Sequence, residues 1–274
     1  MVITRKRRDS NNTFFCTFVF FCQCLIILYL YKHLKNNAPL DLENVELKKM
    51  RLEAFKESEK IRKEILELSK QNETTQFYNS IKFEAFCPKK VRIGGDGDSG
   101  KVSCDPQKAK MDCTMLSLGL NDQIQFDEEI QKITDNRCKI VGADMAEQNQ
   151  TTKEKYDKMR GQLFVGNIPD TLKMYRLMID SESRDVEILK IDIESSEHEA
   201  LEPFLKDYFV CQILIEIHGH PEKQLEMLRK LSRLGFRLFN LEPNPTCPIC
   251  CEYSFINEMC MYRYQVTPLA ILIP

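Results

Sequence analysis

The chain has almost no excess charge of either sign: 39 Lys and Arg stand against 41 Asp and Glu, for a net charge of -2 over 274 residues. Proteins that grip nucleic acid carry a strong basic excess, so that class of partner is excluded. The turn expected at Gly119 has a single glycine in place of a G-x-G-x-x-G dinucleotide fingerprint. The one glycine-dense stretch, Gly94 to Lys101 (GGDGDSGK), has Gly95, Gly100 and Lys101 at Walker A spacing. It carries Val102 where the Mg²⁺-binding Ser or Thr belongs and has no apolar strand before it, which excludes a phosphate loop. Asp96 and Asp98 lack the later ligands and the distal glutamate of a calcium loop. A glycine-rich surface turn is expected there, and no metal site.

A long uncharged run is present at the amino terminus. Thr13 to Tyr31 (TFFCTFVFFCQCLIILYLY) spans nineteen residues, close to the roughly 20 that a helix needs to cross a bilayer. Arg5, Lys6, Arg7 and Arg8 precede it, and Lys32, His33 and Lys35 follow. The more basic side stays in the cytosol, which translocates everything after Tyr31. A cleaved signal peptide is disfavoured because no small-x-small site follows the run. The expected organisation is a cytosolic tail 1–12, a transmembrane signal anchor 13–31, a helical stem 32–76 and a lumenal domain 77–274. That makes a single-pass type II membrane protein of the endoplasmic reticulum or Golgi. In the stem, Leu40, Leu47, Ala54, Ile61 and Leu68 recur every seven residues without a matching second seam. This describes a solvated helical spacer with at most weak self-association.

Twelve cysteines are many for a cytosolic enzyme, but nine of them, Cys87 to Cys260, follow the anchor. In an oxidising lumen disulfides are the expectation, and the Cys247, Cys250, Cys251 and Cys260 group is read as disulfide-forming rather than zinc-binding, with its pairing open. Asn72-Glu73-Thr74 and Asn149-Gln150-Thr151 are glycosylation acceptors.

Strands and helices alternate through the remainder, the pattern of a doubly wound α/β sheet. Strands are expected at Thr114 to Leu120, Lys139 to Asp144, Gln162 to Ile168, Ile188 to Ile193, Phe209 to His218 and from Phe236, ahead of a carboxyl-terminal hairpin. Asp127 is expected to open a helix, and Ser195 and Ser196 to cap another that starts at Glu197. Asp192 and Glu194 close the apolar run Ile188 to Ile193 at the strand end where open α/β sheets bind ligands. Gly119 and Asn121 turn the chain after the first strand. Asp144 ends the next strand at the distance expected of an acid that accepts from ribose hydroxyls.

Several of these segments resemble a known family. LKIDIESSEHEAL, with Lys190, Asp192, Glu194 and Glu197, is similar to the K-[IV]-D-[IV]-E-G-x-E strand of FkbM-type S-adenosylmethionine-dependent methyltransferases, with Ser195 at the glycine position. SLGLNDQIQFDEE resembles the S-x-G-[IVL]-x-x-x-x-x-F-[DE] motif of the animal, methyltransferase-like branch. RIGGDGDSGKVSCDP and EPNPTCPICCEYSFIN resemble that branch's flanking segments, so the likeness runs from about Phe86 to Ile256.

The resemblance implies a Rossmann-like doubly wound sheet of class I methyltransferases and S-adenosylmethionine as cofactor, held by Gly119, Asn121, Asp144 and Asn167. It implies methyl transfer, to oxygen by our reading, with Asp192 as the favoured base and Glu194 and His218 behind it. The acceptor is left open among small molecule, glycan and protein. A catalytically silent lumenal domain that binds a partner is the alternative. A nucleotide-sugar transferase using Asp192 and Glu194 for Mn²⁺ is a third.

Overall fold

The structure, a computed structural model, describes residues 42–71, 73–96 and 100–274. The chain divides into two units, Met1–Lys49 and Met50–Pro274. In the first, the described residues are the opening turns of helix α1 (Leu42–Ser69), where Val45 is exposed. No helix among the described residues is long and apolar enough to cross a membrane, and the predicted span Thr13 to Tyr31 lies outside them.

In the second unit the closing turns of α1 are amphipathic in effect. Ile61, Ile65, Leu66 and Leu68 recur at helical spacing and pack into the core with Phe77 and Tyr78 of α2 (Thr74–Ser80). The last turns of the predicted stem are thus packed on the domain.

The domain is built on a seven-stranded sheet. Four βα-type units supply β4 (Thr114–Leu118), α3 (Gln125–Ile133), β5 (Lys139–Asp144), α4 (Gln150–Lys158), β6 (Gln162–Val165), α5 (Met174–Asp180), β7 (Val186–Ile191) and α6 (Glu197–Asp207). β8 (Val210–His218), α7 (Pro221–Arg233), β9 (Phe236–Pro243), β10 (Cys250–Asn257) and the short α8 (Met261–Tyr264) complete it. The order is β6-β5-β4-β7-β8-β10-β9; pairs from β6 to β8 are parallel, and β10 is antiparallel to both its neighbours. β4, β7 and β8 are buried at every position, because helices cover both faces of the sheet. The chain runs outward from β4 to β6, then returns to β7 on the other side of β4. This reversal opens a crevice at the carboxyl ends of β4 and β7.

Two antiparallel pairs lie outside this sheet, β1 (Ala85–Phe86) with β11 (Thr267–Pro268) and β2 (Lys90–Ile93) with β3 (Lys101–Cys104). Four disulfides join described cysteines: Cys87–Cys104, Cys113–Cys138, Cys211–Cys260 and Cys247–Cys250, with Cys251 buried and unpaired. The disulfide expectation is met, and the carboxyl-terminal group contributes to two of them.

Some local expectations shift. The strands predicted to reach Leu120 and Ile168 stop at Leu118 and Val165, because the chain must turn away at the crevice. Helix α3 starts two residues before Asp127, which is buried in the first turn and accepts from the Tyr156 hydroxyl at 2.8 Å. Ser196 stands at the start of α6 in helical conformation, so its hydroxyl does not cap the helix. The expected surface turn ends in a buried residue, since Lys101 opens β3 pointing inward. Asn149 is exposed and caps α4 by accepting from the Thr152 N–H at 2.9 Å, while Asn72 lies outside the described residues.

Candidate functional site

Strand register places the site. Leu118 pairs with Ala143 on one side and Ile191 on the other, so Gly119 sits between Asp144 and Asp192. The Gly119 N–H donates to the Ala143 carbonyl at 2.9 Å, and the Asp192 N–H to the Leu118 carbonyl at 3.1 Å. Gly119 has φ +77°, and a Cβ there would lie 1.6 Å from the Asp192 carbonyl oxygen. No other residue fits without moving a strand end. Asn121 and Asp122 follow with φ 46° and 58°, a conformation that Asn and Asp tolerate better than most.

Asp144 holds this turn. One carboxylate oxygen accepts from the Asn121 N–H at 2.7 Å and the other from the Ala146 N–H at 2.9 Å. Each oxygen retains a second lone pair directed to its surroundings. A cavity of about 460 Å³ opens here, lined by Gly119, Asn121, Asp144, Asn167, Lys190, Asp192 and Glu194 among others. It is within the size range of sites for cofactor-sized ligands. Lys190 is buried in its wall and donates to the Gly119 carbonyl at 2.6 Å. Burial and the nearby Lys101 charge lower its pKa, against the opposing charges of Asp127, Asp192 and Glu252.

After Asp192 the backbone is strained. Glu194 and Ser195 have φ 53° and 78°, a region costing an L-residue about 1–2 kcal/mol. Glycine removes that cost and loses about 0.5–1 kcal/mol through its freer unfolded chain. Ser195→Gly is therefore expected to stabilise the domain by about 0.5–1 kcal/mol, seen as a higher urea midpoint at unchanged slope. A lower midpoint would show that the serine side chain contributes more than its backbone costs.

A row of carboxylates crosses the sheet beside the cavity. Glu216 of β8 pairs in register with Glu252 of β10, which pairs with Glu242 of β9, and Asp192 closes the row at the end of β7. Two cations from the β2–β3 hairpin interleave with it. Lys101 contacts Asp192 at 3.3 Å and also Glu252, and Arg92 pairs with Glu242. Asn244 Nδ2 donates to Glu216 at 2.8 Å. His218, at the end of β8, has Nδ1 3.2 Å from the buried Glu197, which also accepts the His218 backbone N–H at 2.9 Å. Its Nε2 faces Glu194 at 3.5 Å and Glu216 at 3.8 Å.

Three of these groups, Glu216, Glu252 and His218, hold protons tightly. Burial pushes Glu216 up to about 7, aided by the Asp192 charge, and pushes Glu252 up to about 8 against the pull of Lys101. Burial works against a charged His218, but the bond to Glu197 and the charges of Glu197, Glu216 and Asp192 outweigh it and raise the imidazole to about 9. The folded chain therefore binds more protons than the unfolded chain from the ordinary carboxylate range up to about pH 9, and stability falls as pH rises through that window. The melting temperature should drop by roughly 5 °C or more between about pH 5.5 and 8.5. Glu252→Gln should flatten part of that slope; a rising melting temperature over the same interval would contradict the assignment.

All four predicted cofactor residues, Gly119, Asn121, Asp144 and Asn167, line the one cavity, as do Asp192 and Glu194. His218 stands beside it, and the side chains of Asp192, Glu194 and His218 present ligand-type atoms within 4.8 Å of one another. Sequence reasoning did not anticipate Glu216, Glu252 or Lys101. Glu216 had a signal, as an acid inside the otherwise apolar ILIEI; Lys101, at the end of a glycine-rich segment, had almost none.

A family model described as "Methyltransferase domain" matches residues 39–257, most of the chain. The chain belongs to this methyltransferase-domain family. Among curated proteins no sequence matches it. Solved structures similar to this methyltransferase domain include a SAM-dependent methyltransferase from Aquifex aeolicus, 16% identical over 56% of this chain and 89% of the other, with a TM-score of 0.36. A putative rRNA methylase from Clostridium thermocellum is 15% identical over 56% and 91%, with a TM-score of 0.36. M. capricolum TrmK, in complex with S-adenosylhomocysteine, is 12% identical over 56% and 66%, with a TM-score of 0.36. Likenesses at this level carry no weight for substrate or chemistry. The sheet and crevice described above give the methyltransferase domain a Rossmann-like fold on the chain's own geometry.

Proposed function

We propose that the domain transfers a methyl group from S-adenosylmethionine to an oxygen of its acceptor, as a member of the FkbM-type animal branch. The observation that carries this reading is the cavity at the strand reversal, walled by a glycine turn and by an acid at the end of β5. The residues present fit the cofactor. Asp144 offers free lone pairs for ribose hydroxyls, Asn121 and Asn167 stand at the rim, and the volume suits a nucleoside with a short side chain.

Gly119, Asn121, Asp144 and Asn167 would hold S-adenosylmethionine, which would supply an electrophilic methyl carbon whose sulfonium sulfur leaves as a neutral thioether. The protein aligns acceptor and donor, which supplies much of the acceleration. Asp192 takes the acceptor's proton, and Glu194 and His218 lie on its way to solvent. At neutral pH His218 already carries a proton, so it acts as a charged partner of these carboxylates rather than as the first base.

We further propose that Thr13 to Tyr31 anchors the chain in a secretory-pathway membrane with the domain in the lumen. The disulfides are compatible with such a compartment. Thermal denaturation of the full chain with millimolar S-adenosylhomocysteine tests the first reading, since a ligand of the native state must raise the transition. An unmoved transition favours the silent lumenal domain. Removal of N-glycans tests the second: a mobility shift that disappears when Asn72 and Asn149 are both replaced by Gln supports lumenal placement, and its absence from the full chain expressed in glycosylating cells counts against it.

A further inference from the structure

Two members of the carboxylate row are bridged by a residue from outside the main sheet. Lys101 opens β3, a strand of the separate β2–β3 hairpin, yet its side chain is 1% exposed and its ammonium contacts both Asp192 and Glu252. Its placement is enforced from several directions. Gln212 of β8 accepts from the Cys104 N–H and donates to the Cys104 carbonyl, both at 2.8 Å, and Ser103 Oγ donates to the same Gln212 at 3.2 Å. The Cys87–Cys104 disulfide ties the end of β3 to the segment before β2.

Burying an ammonium is strongly unfavourable unless it is well paired. Its partners must therefore account for a lysine turned inward from a hairpin. Of the four carboxylates in the row, Asp192 is the one that also lines the cavity beside Gly119. A carboxylate bare on that wall would attract a cation in the cavity more strongly than a neutral molecule of the same shape. A methyl donor and its demethylated product differ in that way: the sulfonium is positive and the thioether neutral. Holding the donor's charge too tightly stabilises the ground state and not the transition state, and so slows transfer.

We propose that Lys101 is a positioning and specificity-determining residue, which fixes Asp192 against the cavity and offsets its charge so that donor and product bind with comparable affinity. This rests on the methyl-donor reading above. The burial of Lys101 is sustained because Glu252 and Asp192 outweigh desolvation and keep the ammonium charged.

Calorimetric titration of the full chain with S-adenosylmethionine and with S-adenosylhomocysteine tests it. Lys101→Met should shift the ratio of the two dissociation constants about tenfold toward the donor, and Lys101→Arg should keep the wild-type ratio. Asp192→Asn should move the ratio toward the product. A Lys101→Met protein that melts cooperatively with an unmoved ratio overturns the proposal. Should that variant not fold, Asp192→Asn decides: a shift toward the product supports the proposal, and an unmoved ratio overturns it. Wild-type protein that binds neither compound overturns the donor reading and this proposal together, whereas wild-type binding with an unmoved ratio in the variants overturns this proposal alone.

Discussion

Gly119→Ala is expected to abolish measurable S-adenosylhomocysteine binding and to destabilise the domain by about 3 kcal/mol or more. The added Cβ falls 1.6 Å from the Asp192 carbonyl oxygen, a backbone atom at the end of a fully buried strand that cannot swing aside. The φ of +77° adds the left-handed penalty of about 1–2 kcal/mol. Relief requires β4 and β7 to part at their carboxyl ends. That would break the Asp192 N–H to Leu118 bond and the Lys190 bond to the Gly119 carbonyl. Both strand ends are walls of the cavity, so the distortion reaches the ligand directly. Urea denaturation gives the stability loss and calorimetry the binding loss. An alanine variant that binds like wild type would mean the crevice is not where the ligand sits.

The parts of this architecture governed by local pattern were legible in the sequence. β5 falls at Lys139–Asp144 as expected, because six residues bounded by a cysteine and a turn acid leave the strand nowhere else to lie. β7 and the acids after it were legible for the same reason, an apolar run with charged residues at one end. What was not legible depends on tertiary register. Glu216, Glu252 and Glu242 lie on three strands and become neighbours only through the antiparallel pairing of β10. Lys101 reads as part of a glycine-rich surface turn, and only the docking of the hairpin through Gln212 turns it inward. Ser196 has cap chemistry by composition, but after left-handed Glu194 and Ser195 it already takes helical φ and ψ, and its hydroxyl makes no cap bond.

Asp144→Ala should weaken S-adenosylhomocysteine binding by about 100-fold or more while costing only about 2 kcal/mol of stability. The two effects have separate origins. In the protein alone, Asp144 accepts the Asn121 and Ala146 N–H groups, each a charge-assisted bond. Losing them frees a turn whose Asn121 and Asp122 are already left-handed, but these N–H groups border the cavity and can turn to water, which limits the cost. On the proposed reading, ligand binding would depend on the same carboxylate twice, through its remaining lone pairs on the ribose and through the turn it holds in place. Bonds to a charged group contribute about 1.5–3 kcal/mol each, and 1.4 kcal/mol is tenfold in affinity. Asp144→Asn keeps one acceptor oxygen and should fall between wild type and alanine on both scales. If alanine lowers stability as expected but leaves the dissociation constant unchanged, Asp144 is a staple for the turn and the ribose lies elsewhere along the wall.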